Sequence, residues 1–102
     1  MRDAIDRVLA YAEPGRDAFM ADPMRQDAII RNLEIAGEAA KRVPDNIRDL
    51  APEIPWRQMA GTRDKLAHDY FGVDLDLVWD VVAKELPATR ERLLVVIESV
   101  SP

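Results

Sequence analysis

The sequence predicts an all-α protein, an up-and-down antiparallel bundle of four main helices. Three observations carry that expectation. Ala, Leu, Glu, Arg and Asp dominate the composition, and most of these are good helix formers. Apolar residues recur at three- and four-residue spacing rather than alternating. Prolines and glycines fall mainly between those periodic stretches.

The first helix spans roughly residues 2–12, with Ile5, Val8, Leu9 and Ala12 forming one stripe before Pro14-Gly15 breaks it. Phe19 and Met20 are expected to pack in the link that follows. Asp22-Pro23 reads as an N-cap with proline at the first helical position. The second helix spans about 23–43, with Ala28, Ile29, Leu33, Ala36, Ala40 and Val43 at helical spacing. Gly37 and its neighbouring alanines suit close approach by another helix.

Pro44, Pro52 and Pro55 make 44–55 a connector, with one helical turn around Ile47–Leu50. Trp56 opens the third helix, which is expected to run to Asp69 or Tyr70, with Gly72 marking its end. Asp74 caps a fourth, whose apolar positions are Leu75, Val78, Val82 and Leu86. Pro87 lies between that run and Leu93, Leu94, Ile97 and Val100. The fourth helix is therefore expected to bend or split near Lys84–Leu86. Leu94-Val-Val-Ile97 resembles a strand in isolation, but its helical neighbours argue against one.

At 102 residues, the chain suits a single domain, 1–102, with one modest core. Cysteine is absent and histidine occurs once, which excludes disulfides and disfavours a conventional zinc site within one chain. No metal or other cofactor is expected. The opening Met1-Arg-Asp-Ala-Ile-Asp is charged where a secretory leader is apolar, and no stretch approaches a membrane span. A soluble, cytoplasmic protein is the resulting expectation. Nineteen acidic residues against fourteen Lys plus Arg leave a net charge of -5, which weakens non-specific attraction to nucleic acid. A local site remains compatible with that balance, because Arg57, Arg63 and Lys65 lie close in sequence to the histidine.

The chemically suggestive segment is Arg63-Asp-Lys-Leu-Ala-His68-Asp-Tyr70. Asp64 and His68 are four residues apart, so on a helix the carboxylate can hold one ring nitrogen and turn the other toward a substrate. Arg63 is about 140° away from His68 around a regular helix. Convergence, which the long arginine side chain assists by curling round, is easier at a helix end near His68 or where two copies meet across a two-fold axis. In such a composite site Arg63 would bind phosphate and stabilise charge developing at phosphorus. His68 would exchange protons with a ribose 2'-hydroxyl or a leaving oxygen, and Tyr70 would bond the phosphate or stack on a base. Taken alone, the motif fits equally a hydrogen-bonded helix end closed by Tyr70 and Phe71. Asn32, Glu34 and Glu38 form a second polar group on the second helix. Trp56 and Trp79 read as core or interface anchors.

The pattern Arg63-x4-His68-x-Tyr70 is accompanied by Ile30-Arg-Asn-Leu-Glu-Ile-Ala-Gly-Glu-Ala-Ala-Lys41, Pro52-Glu-Ile-Pro-Trp-Arg57, Ala60-Gly61 and His68-Asp-Tyr-Phe-Gly-Val73. Together these resemble the small HEPN proteins of the HepT type, over nearly the whole chain. The resemblance implies a helical homodimer with Arg63 and His68 as catalytic residues in a cleft between protomers. It implies a metal-independent endoribonuclease acting as the toxin of a type VII toxin–antitoxin pair. The implied antitoxin is a minimal nucleotidyltransferase of the MNT kind that silences the toxin by AMPylation of Tyr70. The wider superfamily commonly has asparagine directly after the arginine, where this chain has Asp64. A carboxylate there still orients His68 but would repel RNA phosphate if it entered the cleft. The competing function class is a catalytically silent helical dimer that binds or regulates a nucleotidyltransferase.

Overall fold

The computed structural model describes residues 1–61 and 74–100. Helix α1 is Arg2–Ala12, α2 Arg16–Ala21, α3 Pro23–Lys41 and α4 Asp45–Arg48. Helix α5 begins at residue 56 and its described part runs to 61. Helix α6 is Leu75–Asp80, followed without interruption by a π-helical turn, Val81–Glu85, and by α7, Leu86–Val100. Among the described residues every regular element is helical, as the composition predicts.

Helices α1 and α3 form the central hairpin. Their antiparallel order is visible in two links, Arg25 Nη1 donating to the Tyr11 carbonyl at 2.6 Å and Arg7 Nε donating to Asn32 Oδ1 at 2.8 Å. Ala4, Ile5 and Val8 of α1 are buried against Ile29, Leu33, Ala36 and Ala40 of α3, so most of each expected stripe is buried, with Ala4 added and Leu9, Ala12, Ala28 and Val43 half-buried. Helix α7 also packs on α1, joined to it by the Arg90–Asp6 ion pair, and adds Leu93 and Val96 to the same core.

The link after α1 is more ordered than its sequence suggests, since residues 16–21 form a helix of their own. Gly15 precedes it with φ 102°, a conformation in which any other residue would be strained. Phe19 of this short helix is fully buried and packs on Trp79 of α6, with ring centroids 5.5 Å apart. Asp22 then caps α3 as expected, its carboxylate accepting from the Met24 and Arg25 amides at 3.0 and 3.3 Å, with Pro23 at the first helical position.

Three helix C-termini are closed by long side chains reaching back. Arg25 takes the Tyr11 carbonyl of α1, and Gln26 Nε2 takes Phe19 and Met20 carbonyls of α2 at 2.9 and 3.1 Å. Arg48 spreads its guanidinium over the carbonyls of Ala40, Lys41 and Val43, each at 3.0 Å. These donors supplement the long backbone bonds at the helix ends, such as those of 3.4 Å from Asp22 N–H to Phe19 and from Val43 N–H to Ala40. The helical turn in the connector is Asp45–Arg48, two residues earlier than the expected Ile47–Leu50, because Pro44 starts it in extended conformation.

Pro87 does not split the final helix. The amide of Leu86 donates to the Val81 carbonyl, five residues back, so the helix widens for one turn and continues. A proline at 87 has no amide to donate to Ala83 and crowds that carbonyl. The wider turn accommodates this while keeping Val82 and Leu86 buried. Of the bend or split expected near Lys84–Leu86, the split does not occur, and the irregularity takes the form of a π turn at that place.

Candidate functional site

The residues singled out for chemistry, Arg63, Asp64, His68 and Tyr70, lie outside the described residues. The described parts of the chain form the frame on either side of them. On the N-terminal side, Trp56 is buried and its indole N–H donates to the Ala51 carbonyl at 3.1 Å. Ala51 and Ile54 are buried with it, and the amide of Trp56 donates to the Ile54 carbonyl at 2.8 Å. The Pro52–Pro55 connector is therefore fastened to the core where α5 begins. A buried indole needs such a partner, and the Ala51 carbonyl serves both the indole and the Ile54 amide, which donates to it at 3.1 Å.

On the C-terminal side, the Asp74 carboxylate accepts from the amides of Asp76 and Leu77 at 3.0 and 3.2 Å, fixing the start of α6. An ion pair from Asp76 to Arg16 and the Phe19–Trp79 contact tie α6 to α2. Both tryptophans therefore serve packing, as their anchor reading predicts.

Beside α5 is a small cavity of about 40 Å³ lined by Leu33, Ala36 and Gly37 of α3, Gln58 and Met59 of α5, and Val81 of the π turn, among others. It holds little more than a water or two and is too small for a nucleotide.

The polar group on α3 divides in two. Glu34 and Glu38 form ion pairs on their own helix, with Arg31 at 3.7 Å and Arg42 at 3.5 Å. Among the described residues no three histidine, cysteine or carboxylate side chains are grouped to hold a metal ion. Asn32 is different. It is only 8% exposed, donates Nδ2 to the Ala28 carbonyl at 2.8 Å and accepts from Arg7. Sequence reasoning placed Asn32 with the acidic pair and missed Arg7, because their contact joins positions 25 residues apart.

These elements define a helical bundle whose anchored third helix leads into an arginine–histidine–tyrosine motif. The chain belongs to the HepT-like ribonuclease family, whose description is "Ribonuclease HepT-like" and whose model matches residues 1–96. A protein of Thermococcus cleftensis named as a probable ribonuclease HepT is 50% identical over 72 residues, covering 71% of this chain and 66% of that protein. A protein of Caldanaerobacter subterraneus subsp. tengcongensis, named as a candidate RNase, is 41% identical over 75 residues, covering 74% of this chain and 67% of its own length. In Methanocaldococcus jannaschii, a protein named as both a gamma-glutamylcyclotransferase and a candidate RNase is 44% identical over 97 residues. That match takes in 94% of this chain and 44% of the relative. The chain thus spans about two thirds or less of the length of these curated relatives. No solved structure matches.

Among the described residues no helix is long and apolar enough to cross a membrane.

Proposed function

We propose that the protein is a metal-independent endoribonuclease, with Arg63 and His68 acting at a composite site between two copies of the chain. The observation that carries this reading is membership of the HepT-like ribonuclease family over residues 1–96, a span that includes the Arg63-x4-His68-x-Tyr70 motif. Arg63 would grip the scissile phosphate with its planar fork and stabilise the charge that builds on the phosphoryl oxygens. One His68 would take the proton of the 2'-hydroxyl as it attacks phosphorus. The second copy's histidine would protonate the departing 5'-oxygen, leaving a 2',3'-cyclic phosphate. Two copies favour this chemistry because a regular helix would hold Arg63 and His68 about 140° apart, and because each chain has a single histidine, so a second copy lets the acid and base roles be divided. Asp64, one turn before His68, would orient the imidazole.

The same reading makes the protein the toxin of a type VII toxin–antitoxin pair, cytoplasmic and homodimeric, within the single domain 1–102. Its partner would be an MNT-type nucleotidyltransferase that AMPylates Tyr70. Each added nucleotide would bring bulk and negative charge to a phosphate-binding cleft.

The test incubates unmodified protein, of verified mass, with RNA in excess chelator beside its His68→Ala variant. Cleavage to 2',3'-cyclic ends that falls by at least about 100-fold in the variant is expected. Treatment with the nucleotidyltransferase and ATP should abolish cleavage and add adenylate mass at Tyr70. A folded, unmodified dimer that cuts no RNA would overturn the nuclease reading in favour of the silent binding module.

A further inference from the structure

Arg7, like Arg57 and Arg92, has no carboxylate partner among the described residues, and unlike those two it is held by a buried side chain. Arg2 and Arg90 both pair with Asp6, Arg16 pairs with Asp76, Arg25 with Asp22, Arg31 with Glu34 and Arg42 with Glu38. Arg48 is consumed by the three carbonyls that end α3. Arg7 instead is held through Nε by the neutral amide of Asn32 at 2.8 Å. Among the described residues no carboxylate lies within ion-pair distance of it, and Asp3, one turn earlier on the same helix, does not pair with it.

The hold is well defined. Asn32 is buried, and its Nδ2 is committed to the Ala28 carbonyl, so its Oδ1 is turned toward Arg7. A guanidinium gripped at Nε keeps its terminal Nη1 and Nη2 edge available, the edge that matches two oxygens of a phosphate. Arg7 is itself exposed. An acid in place of Asn32 would also accept from the arginine, but it would cancel the charge and lose the bond to the Ala28 carbonyl. The amide anchors it and leaves the full charge, in a chain whose net charge is -5.

We infer that Arg7, oriented by Asn32, is a binding site for an RNA backbone phosphate on the α1–α3 face. The assignment rests on the proposal that RNA is the substrate and adds a contact outside the Arg63–His68 motif. It predicts a sequence-independent contribution to binding, because a phosphate carries no base identity.

The experiment measures binding of a labelled single-stranded oligoribonucleotide to the His68→Ala protein across a salt series, with Arg7→Gln and Asn32→Asp added singly. Arg7→Gln should weaken binding about tenfold at low salt. It should also reduce the slope of log affinity against log salt by about 0.7, the loss of one phosphate contact on a single strand. Asn32→Asp keeps an acceptor for Arg7 and turns the contact into an ion pair, while giving up the amide's bond to the Ala28 carbonyl. It should weaken RNA binding with a similar loss of slope, while thermal unfolding shows the variant still folded. Unchanged affinity and slope in Arg7→Gln would overturn the assignment while leaving the nuclease reading intact. No RNA binding by the parent would overturn both. Arg7-dependent RNA binding by a protein that, with His68 restored, cuts no RNA would support the assignment and overturn the nuclease reading. Stronger Arg7-dependence with polyglutamate than with RNA would show that the anion is a protein carboxylate, and would also overturn it.

Discussion

The α1–α3 hairpin and the long helix from Leu75 to Val100 meet proline in opposite ways. In the hairpin region Pro14 and Pro23 stand at helix boundaries, beside Gly15 and the Asp22 cap, and the chain turns there. In the long helix Pro87 sits inside a continuous helical run, and the chain absorbs it by widening one turn. The difference lies in what surrounds each proline. A boundary proline is joined by residues that satisfy the free amides and carbonyls of a helix end. Pro87 has apolar residues on both sides, Val82 and Leu86 before it and Leu93 and Val96 after it, all of them buried. Burying them on one stripe outweighs the loss of one hydrogen bond of about 1 kcal/mol.

The largest test of this contrast is at the contact between the two regions. Phe19→Ala removes a fully buried ring that joins α2 to Trp79, and should cost about 3–5 kcal/mol in urea or thermal unfolding. A loss below about 1 kcal/mol would mean that the two regions are stabilised independently. The caps come next. Asp22→Ala and Asp74→Ala each remove a carboxylate that accepts from two amides, and each should cost about 1 kcal/mol. Asp22→Ala should be the more costly, because Asp22 also faces the guanidinium of Arg25 at 3.7 Å. Equal losses would assign the whole effect to capping. Smallest is Pro87→Ala, which restores an amide to an already helical segment and should shift stability by less than about 1 kcal/mol. Hydrogen exchange across Val81–Glu85 would show whether the wide turn persists without the ring. A large destabilisation would mean that Pro87 is required by packing rather than tolerated.

Much of this fold is written locally and so was legible in the sequence. The Asp22-Pro23 and Asp74 starts, the stripe from Ile29 to Ala40 and the Trp56 anchor all depend on residues within a turn or two of one another. What escaped depends on other kinds of information. The helix at Arg16–Ala21 is six residues long, too short to show a period, and is secured by Gln26 and the distant Trp79. The π turn is a compromise between two local rules, and spacing alone does not say which yields. At the candidate site, the Arg63–His68 pair was singled out by residue type and family resemblance and lies outside the described residues, whereas the Arg7–Asn32 contact exists only once α1 and α3 are laid side by side.

The two tryptophans also make the molecule its own optical instrument. Trp56 is buried at the threshold of the motif-bearing segment, and Trp79 is partly buried against Phe19 on the opposite flank of that segment. Trp79→Phe would leave Trp56 as the sole indole fluorophore. Its emission would then follow events at the entrance to α5 as RNA or a nucleotidyltransferase is added, without a label or a substitution within the motif.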